Sequence, residues 1–249
     1  MLIDAHIHLD KYKENDIPTL LEEAERVIAV SMNLLSSEKT LKLSKAYAKV
    51  KAAFGFHPEQ PLPSEAEENA LFDWIRQHAH DMVAIGEVGL PYYLRQEKAI
   101  DERPYVALLE RFIGLAKELN KPIVLHAVYE DATIVCDLLE KHQLTKAHFH
   151  WFKGDATVIE RMIHNGYFIS VTPDCTYEAE IKQLIKKYPI ELMMVETDGP
   201  WPFEGPFDNK RTSPWIMDHS IEVIASIKGL ATHEAAQIIT RNTTTFYNL

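Results

Sequence analysis

Six residues of metal-ligand type recur at the ends of short apolar runs along the chain. They are His6 and His8 in IDAHIHLD, Glu87 in AIGEVGLP, His126 in PIVLHAV, His150 in HFHWFKG and Asp198 in MMVETDGP. Neutral imidazole mixed with carboxylate suits Zn, Mn, Ni or Fe, and Mg is a further candidate. His6 and His8 are two residues apart, so a strand would send both to one side. Glu87 has two oxygens and can ligate with each, which makes it the candidate bridge. On this reading His6, His8 and Asp198 hold one divalent ion, and His126 and His150 hold a second. Two such ions ~3.5–4 Å apart can activate a shared water at neutral pH and stabilise a leaving oxygen. Asp198 is the candidate to take a proton from that water and return it to the leaving group. Glu87 is the second candidate catalytic carboxylate. The chain offers no G-x-S-x-G elbow, no Gly-rich phosphate loop and no C-x-x-C that would supply different chemistry.

Residues about 190 positions apart meet only if the fold brings strand ends together, as a barrel of parallel strands does on its C-terminal face. The sequence supports such an architecture. Apolar runs at roughly 2–8, 27–33, 51–56, 82–88, 122–126, 146–150, 167–171 and 192–196 read as eight strands. Helix-like segments follow at 17–26, 38–49, 64–79, 101–120, 130–142, 155–165, 177–188 and 213–228, and a last helix at 232–247 closes the chain. Strands alternating with helices imply parallel pairing. The expectation is an α/β fold, a TIM (β/α)8 barrel forming a single domain over 1–249. Pro18 suits a helix start, Pro122 ends the helix before it, and Gly166 stops another. The stretch 199–214, with four prolines, follows Asp198 directly and should overhang the site.

The balance of 37 acidic against 26 basic residues gives a net charge of −11. That sign argues against strong non-specific nucleic-acid binding, which relies on neutralising phosphates; it leaves room for a local basic mouth. Cys136 and Cys175 read as reduced thiols, not a disulfide. No signal-peptide pattern opens the chain, and no apolar run approaches the ~18 residues of a membrane span. A cytoplasmic, soluble protein with no membrane partner is expected.

Other candidates flank the ligand motifs. His57, Trp151, Lys153, Trp201 and Arg211 are candidate substrate contacts, and Tyr92, Tyr93, Arg103 and Lys210 lie nearby in sequence. An aromatic beside a metal centre can stack on a base, and a cation can hold an anionic group. Each of these side chains also has an ordinary reading as packing or solvated charge. His148 is expected to pack deeper in the barrel than His150, Asp4 to orient the first strand, and Asp10 to shape a loop. His78, His80, His142, His164, His219 and His233 read as surface or helix-end residues.

Taken together, IDAHIHLD, AFGFHPEQ, AIGEVGLPYY, LAKELNKPIVLHAV, HWFKG and ETDGPW resemble the TatD family of metal-dependent hydrolases, within the wider amidohydrolase-like barrels. The likeness spans nearly the whole chain. It implies a TIM barrel, a one- or two-metal centre at the six positions above, and hydrolysis, with DNase or phosphodiesterase activity the usual family label. Three features depart from the family pattern. Pro91 stands where an Asp is common after GE-x-GL, Val128 stands where H-x-R would place Arg, and the loop after ETD-x-P is long and contains Trp. The missing charges are ones that would position a phosphate. They favour a rival reading as a small-molecule amidohydrolase or lactonase, so the expected substrate is a nucleic acid or a small molecule. A non-catalytic metal-binding or interaction barrel is a third reading, opposed by retention of all six ligand types.

Overall fold

Apolar runs such as IVLH and MVAI are buried throughout or nearly so, as strands covered on both faces require. The computed structural model describes residues 1–249. Its strands are β1 (Ile3–Ile7), β2 (Arg26–Ala29), β3 (Val50–Phe54), β4 (Met82–Gly89), β5 (Ile123–His126), β6 (Ala147–Phe149), β7 (Phe168–Val171) and β8 (Met193–Val195). Each pairs in parallel with the next in sequence order. The expected TIM barrel is present as a single domain. No helix is long and apolar enough to cross a membrane.

Ten helices surround or cap the strands: α1 (Ile17–Glu22), α2 (Leu34–Ala46), α3 (Glu65–Gln77), α4 (Tyr92–Glu97), α5 (Arg103–Glu118), α6 (Asp131–His142), α7 (Ala156–His164), α8 (Ala179–Lys187), α9 (Met217–Lys228) and α10 (Thr232–Tyr247). Local chemistry sets several boundaries. Asn33 caps α2 by accepting from the Ser36 amide, so that helix starts and ends earlier than the expected 38–49. Ser64 and Glu67 form a reciprocal capping box on α3. Asp155 accepts the Thr157 and Val158 amides to start α7. The expected 17–26 helix stops at Glu22 because the chain must already enter β2 at Arg26. Helix α4 has no counterpart among the expected elements.

Most of the core lies between the strands and the outer helices. A smaller buried cluster joins Val124, Ala84 and Met194 to Phe246 and Tyr247 of α10. Phe246 also packs on Phe168, the first residue of β7. The closing helix therefore seals the barrel near the strand starts, leaving the opposite end for the site. Asn242 fixes it there by donating to the carbonyls of Ile190 and Met193.

The junction of the first and last strands lies directly under the site. The Asp198 amide donates to the His6 carbonyl, and the His8 amide to the Gly199 carbonyl. Asp4 completes this seam. Its Oδ1 accepts the Thr197 amide at 3.0 Å and the His6 amide at 3.2 Å, and its Oδ2 accepts the Thr197 hydroxyl at 2.6 Å. Burial pushes its carboxyl up to about 7, against the opposing pull of the Thr197 hydrogen bonds. Asp4→Ala leaves these buried donors unpaired. At pH 8, in the presence of chelator, urea unfolding should show a loss of about 1–3 kcal/mol. A change within experimental error would contradict the seam role.

Candidate metal centre

The strand ends deliver the six candidate ligands to one place. His6 is in β1 and His8 follows it; Glu87 is near the end of β4 and His126 ends β5; His150 follows β6 and Asp198 follows β8. All six are buried. One close approach of backbones helps to place them. A Cβ at Gly89 would sit 1.9 Å from the His126 carbonyl oxygen, so only glycine lets β4 press this closely beside the end of β5.

Glu87 divides the cluster. Its Oε2 lies 3.1 Å from His6 Nε2 and 3.2 Å from His8 Nε2. Both of these nitrogens lie 3.5 Å from Asp198 Oδ1. Its Oε1 lies 2.7 Å from His150 Nε2 and 3.1 Å from His126 Nδ1, with His57 Nε2 at 3.4 Å. The rings of His6 and His150 stack, with centroids 3.9 Å apart.

These contacts are close without all being hydrogen bonds. His6 Nε2, Glu87 Oε2 and Asp198 Oδ1 are buried and have no hydrogen-bond partner, as have His6 Nδ1, His8 Nδ1 and His150 Nδ1. The short distances here reflect donor atoms converging side by side, not a donor aimed at an acceptor. Buried polar atoms left this way are costly, and a divalent cation would satisfy the three that face one another, His6 Nε2, Glu87 Oε2 and Asp198 Oδ1. The residues therefore fit the group that their types suggest.

The charge state points the same way. Burial alone would raise Glu87, but His150, His57 and His6 hold it well below the ordinary carboxylate range. Burial lowers His8, yet Asp198 and Glu87 outweigh it and lift that imidazole to about 9. His150 is raised well above its usual value because Glu87 and Glu196 outweigh its burial. His6 is held well below by burial and by His150, and burial takes His57 down to about 3. A buried anion is thus compensated by protons on imidazoles, which a cation would displace.

Several neighbours escaped the sequence reading. Glu196 is fully buried, accepts the Trp151 amide at 2.7 Å and the Ser170 hydroxyl, and lies 3.5 Å from His150 Nδ1. Its position two residues before Asp198, an acid inside an apolar strand end, was the available signal. Glu59 touches His126 Nε2 at 3.0 Å; its place two residues after His57 was the only hint. His148 is a packed residue, held between the Tyr247 hydroxyl at 2.7 Å and Ser170 Oγ at 2.6 Å. Asp10 accepts from the Ser36 hydroxyl at 2.9 Å, as a residue shaping its loop would.

The cleft above the cluster has a volume of about 190 Å³ and is lined by His57, Glu59, Tyr93, Trp151 and Trp201 together with His8, His126, His150 and Asp198. Trp151 is pinned by its indole N–H, which donates to Asp174 at 2.6 Å. Lys153 lies over the Trp151 ring and 3.9 Å from the same carboxylate, beside the cleft and not in its wall. Arg211 lies outside the cleft, over the Tyr12 ring and 3.3 Å from Asp16. Arg103 is paired with Asp101 on the surface, and Lys210 is exposed over Trp215. Of the 199–214 stretch only Trp201 reaches the cleft. The remainder turns through Gly205–Phe207, where Phe203 and Phe207 pack with Ile216 and Tyr177.

The family model for TatD related DNase matches residues 3–248. The chain belongs to this family. It is 40% identical over 253 residues to an uncharacterised metal-dependent hydrolase of Haemophilus influenzae, covering all of both chains. It is 30% identical to human deoxyribonuclease TATDN3, covering 97% of this chain and 92% of the relative. Among solved structures, a TatD homologue of Escherichia coli superposes with a TM-score of 0.86 at 26% identity, covering 100% of this chain and 98% of the other.

For this TatD chain the two faces of Glu87 predict separable losses. Metal analysis after reconstitution should show His126→Ala and His150→Ala weakening one ion while His6, His8 and Asp198 retain the other. Glu87→Ala should weaken both. Loss of the same single ion in all three variants would contradict the division.

Proposed function

We propose that this chain, a metal-dependent hydrolase of the TatD family, cleaves phosphodiester bonds with one or two divalent ions held by His6, His8, Glu87, His126, His150 and Asp198. The observation that carries this reading is the convergence of buried imidazoles on both oxygens of one carboxylate beneath an aromatic-lined cleft, with His6 Nε2, Glu87 Oε2 and Asp198 Oδ1 left without hydrogen-bond partners. The deoxyribonuclease named among its relatives supports DNA as the substrate class. Ions held by these residues would supply Lewis-acid polarisation and would bring the pKa of a water molecule toward neutrality. Zn, Mn, Ni, Fe and Mg are all compatible with the donor types.

The protein's own groups do the rest. Asp198 sits between the His6 and His8 side of the cluster and the cleft, where it takes the proton of the attacking water and passes it to the leaving oxygen. Glu87 holds the two sets of imidazoles in fixed relation. Trp151, Trp201 and Tyr93 present ring faces and edges at the mouth, where a base would stack. Lys153, over the Trp151 ring and 3.9 Å from Asp174, supplies a cation beside the cleft.

A small-molecule ester, lactone or amide substrate is the second reading, and specific observations favour it. Pro91 and Val128 are both buried and neutral, Arg211 is tied to Asp16, and the cleft is small. Parallel assays with single-stranded DNA, bis(p-nitrophenyl) phosphate, lactones and amides decide between the two.

Asp198→Asn keeps the shape and one ligating oxygen but removes the base. On the best substrate found, kcat should fall by roughly 10²–10⁴ with the fold intact. Metal content is measured in the same sample. A variant that keeps both its ions and near-normal turnover would exclude Asp198 as the base.

A further inference from the structure

Glu59 is the one carboxylate in the cleft wall that belongs to neither set of candidate ligands. It lies in the loop after β3, and its two oxygens do three things. Oε1 accepts the Tyr93 amide at 2.9 Å and faces His126 Nε2 at 3.0 Å, and Oε2 accepts the Leu94 amide at 2.6 Å. The opposite ring nitrogen, His126 Nδ1, points into the cluster, 3.1 Å from Glu87 Oε1 and 3.2 Å from His150 Nε2.

An imidazole can ligate a cation through Nδ1 only when that nitrogen carries no proton. The remaining proton must then sit on Nε2, where a carboxylate 3.0 Å away receives it. We propose that Glu59 is a positioning residue: it selects the Nε2–H form of His126, turns Nδ1 toward Glu87 and His150, and couples that choice to the placement of α4. A carboxylate behind a ligating histidine fixes both tautomer and ring orientation. Here the same carboxylate is held by two backbone amides of α4, so it cannot swing away without releasing the segment that carries Tyr93 into the cleft. Burial opposes protonation of His126, but Glu59 and then Glu87 outweigh it; the geometry of the two ring nitrogens is what assigns their roles.

The chemistry of substitution is specific. Glutamine retains one oxygen for the His126 Nε2–H and the Tyr93 amide, but presents an NH2 group to the Leu94 amide. Alanine removes every acceptor. Neither change touches the His6, His8 and Asp198 side of the centre, which serves as an internal control for folding.

This inference rests on the metal-centre reading above, and one experiment separates the two. Zinc affinities of wild type, Glu59→Gln, Glu59→Ala and His126→Ala are measured by competition with a chromogenic chelator. Imidazole ¹⁵N–¹H spectra of the zinc-loaded proteins identify the His126 Nε2–H as the signal lost in His126→Ala. Glu59→Ala should weaken by 10–100-fold the same binding step that His126→Ala removes, leave any other step within about twofold, and lose the slowly exchanging Nε2–H signal. Glu59→Gln should retain that signal and fall between wild type and Glu59→Ala in affinity. Wild-type zinc binding with Glu59→Ala unchanged in affinity and signal overturns the positioning role alone. Equal weakening of two steps also overturns it, since that reports general structural damage. A wild-type protein that takes up no zinc contradicts the metal-centre reading, and the role of Glu59 with it.

Discussion

The structure turns on one carboxylate. Glu87 is fully buried, ionised against the cost of that burial, and shared by five imidazoles lying within 3.4 Å of its two oxygens. An isolated carboxylate in such a place would take up a proton instead. It stays charged because the proton-holding imidazole of His8 lies beside one oxygen and those of His126 and His150 beside the other. No single strand could assemble that environment. It requires the ends of β1, β4, β5 and β6 to arrive at one point.

The barrel supplies the arrival, and its closing seam is also where the site is built. Neighbouring strands pair from β1 round to β8, but the return from β8 to β1 depends on few contacts. Two backbone hydrogen bonds at Asp198 and His8 and the Asp4 carboxylate close it. The groups that hold Asp198 next to His6 and His8 are thus the groups that close the barrel. On the far side, Glu196 and Ser170 link His150 to the packed His148 and to Tyr247 of the closing helix. The candidate metal centre and barrel closure therefore share residues, so damage to the seam should be felt at the site.

Much of this could be read from the sequence. Long amphipathic helices such as α3, α5 and α10, and apolar strands such as β4 and β5, carry a periodicity that burial enforces, and they stand where the pattern put them. The ligand types were legible because each sits at the end of such a run. What escaped was set by tertiary geometry. Helix α4 is a single short segment whose first amides are satisfied by Glu59, a residue 34 positions earlier than Tyr93. Glu196 is two residues before Asp198 in sequence, but only the fold places it beside His150. Arg211 looked close to Asp198 in sequence, but the loop carries it outward to Asp16 and Tyr12. Sequence distance measures reach poorly once a loop has its own small core, as Phe203, Phe207 and Ile216 give this one.

The central claim is that both oxygens of Glu87 face cation positions. Anomalous diffraction from crystals of the manganese- or zinc-loaded protein tests it most directly. Anomalous peaks are expected on the two sides of the Glu87 carboxylate, one beside His6, His8 and Asp198 and the other beside His126 and His150. Peaks found only away from Glu87, with its carboxylate hydrogen-bonded to protonated histidines in the loaded crystal, would contradict it.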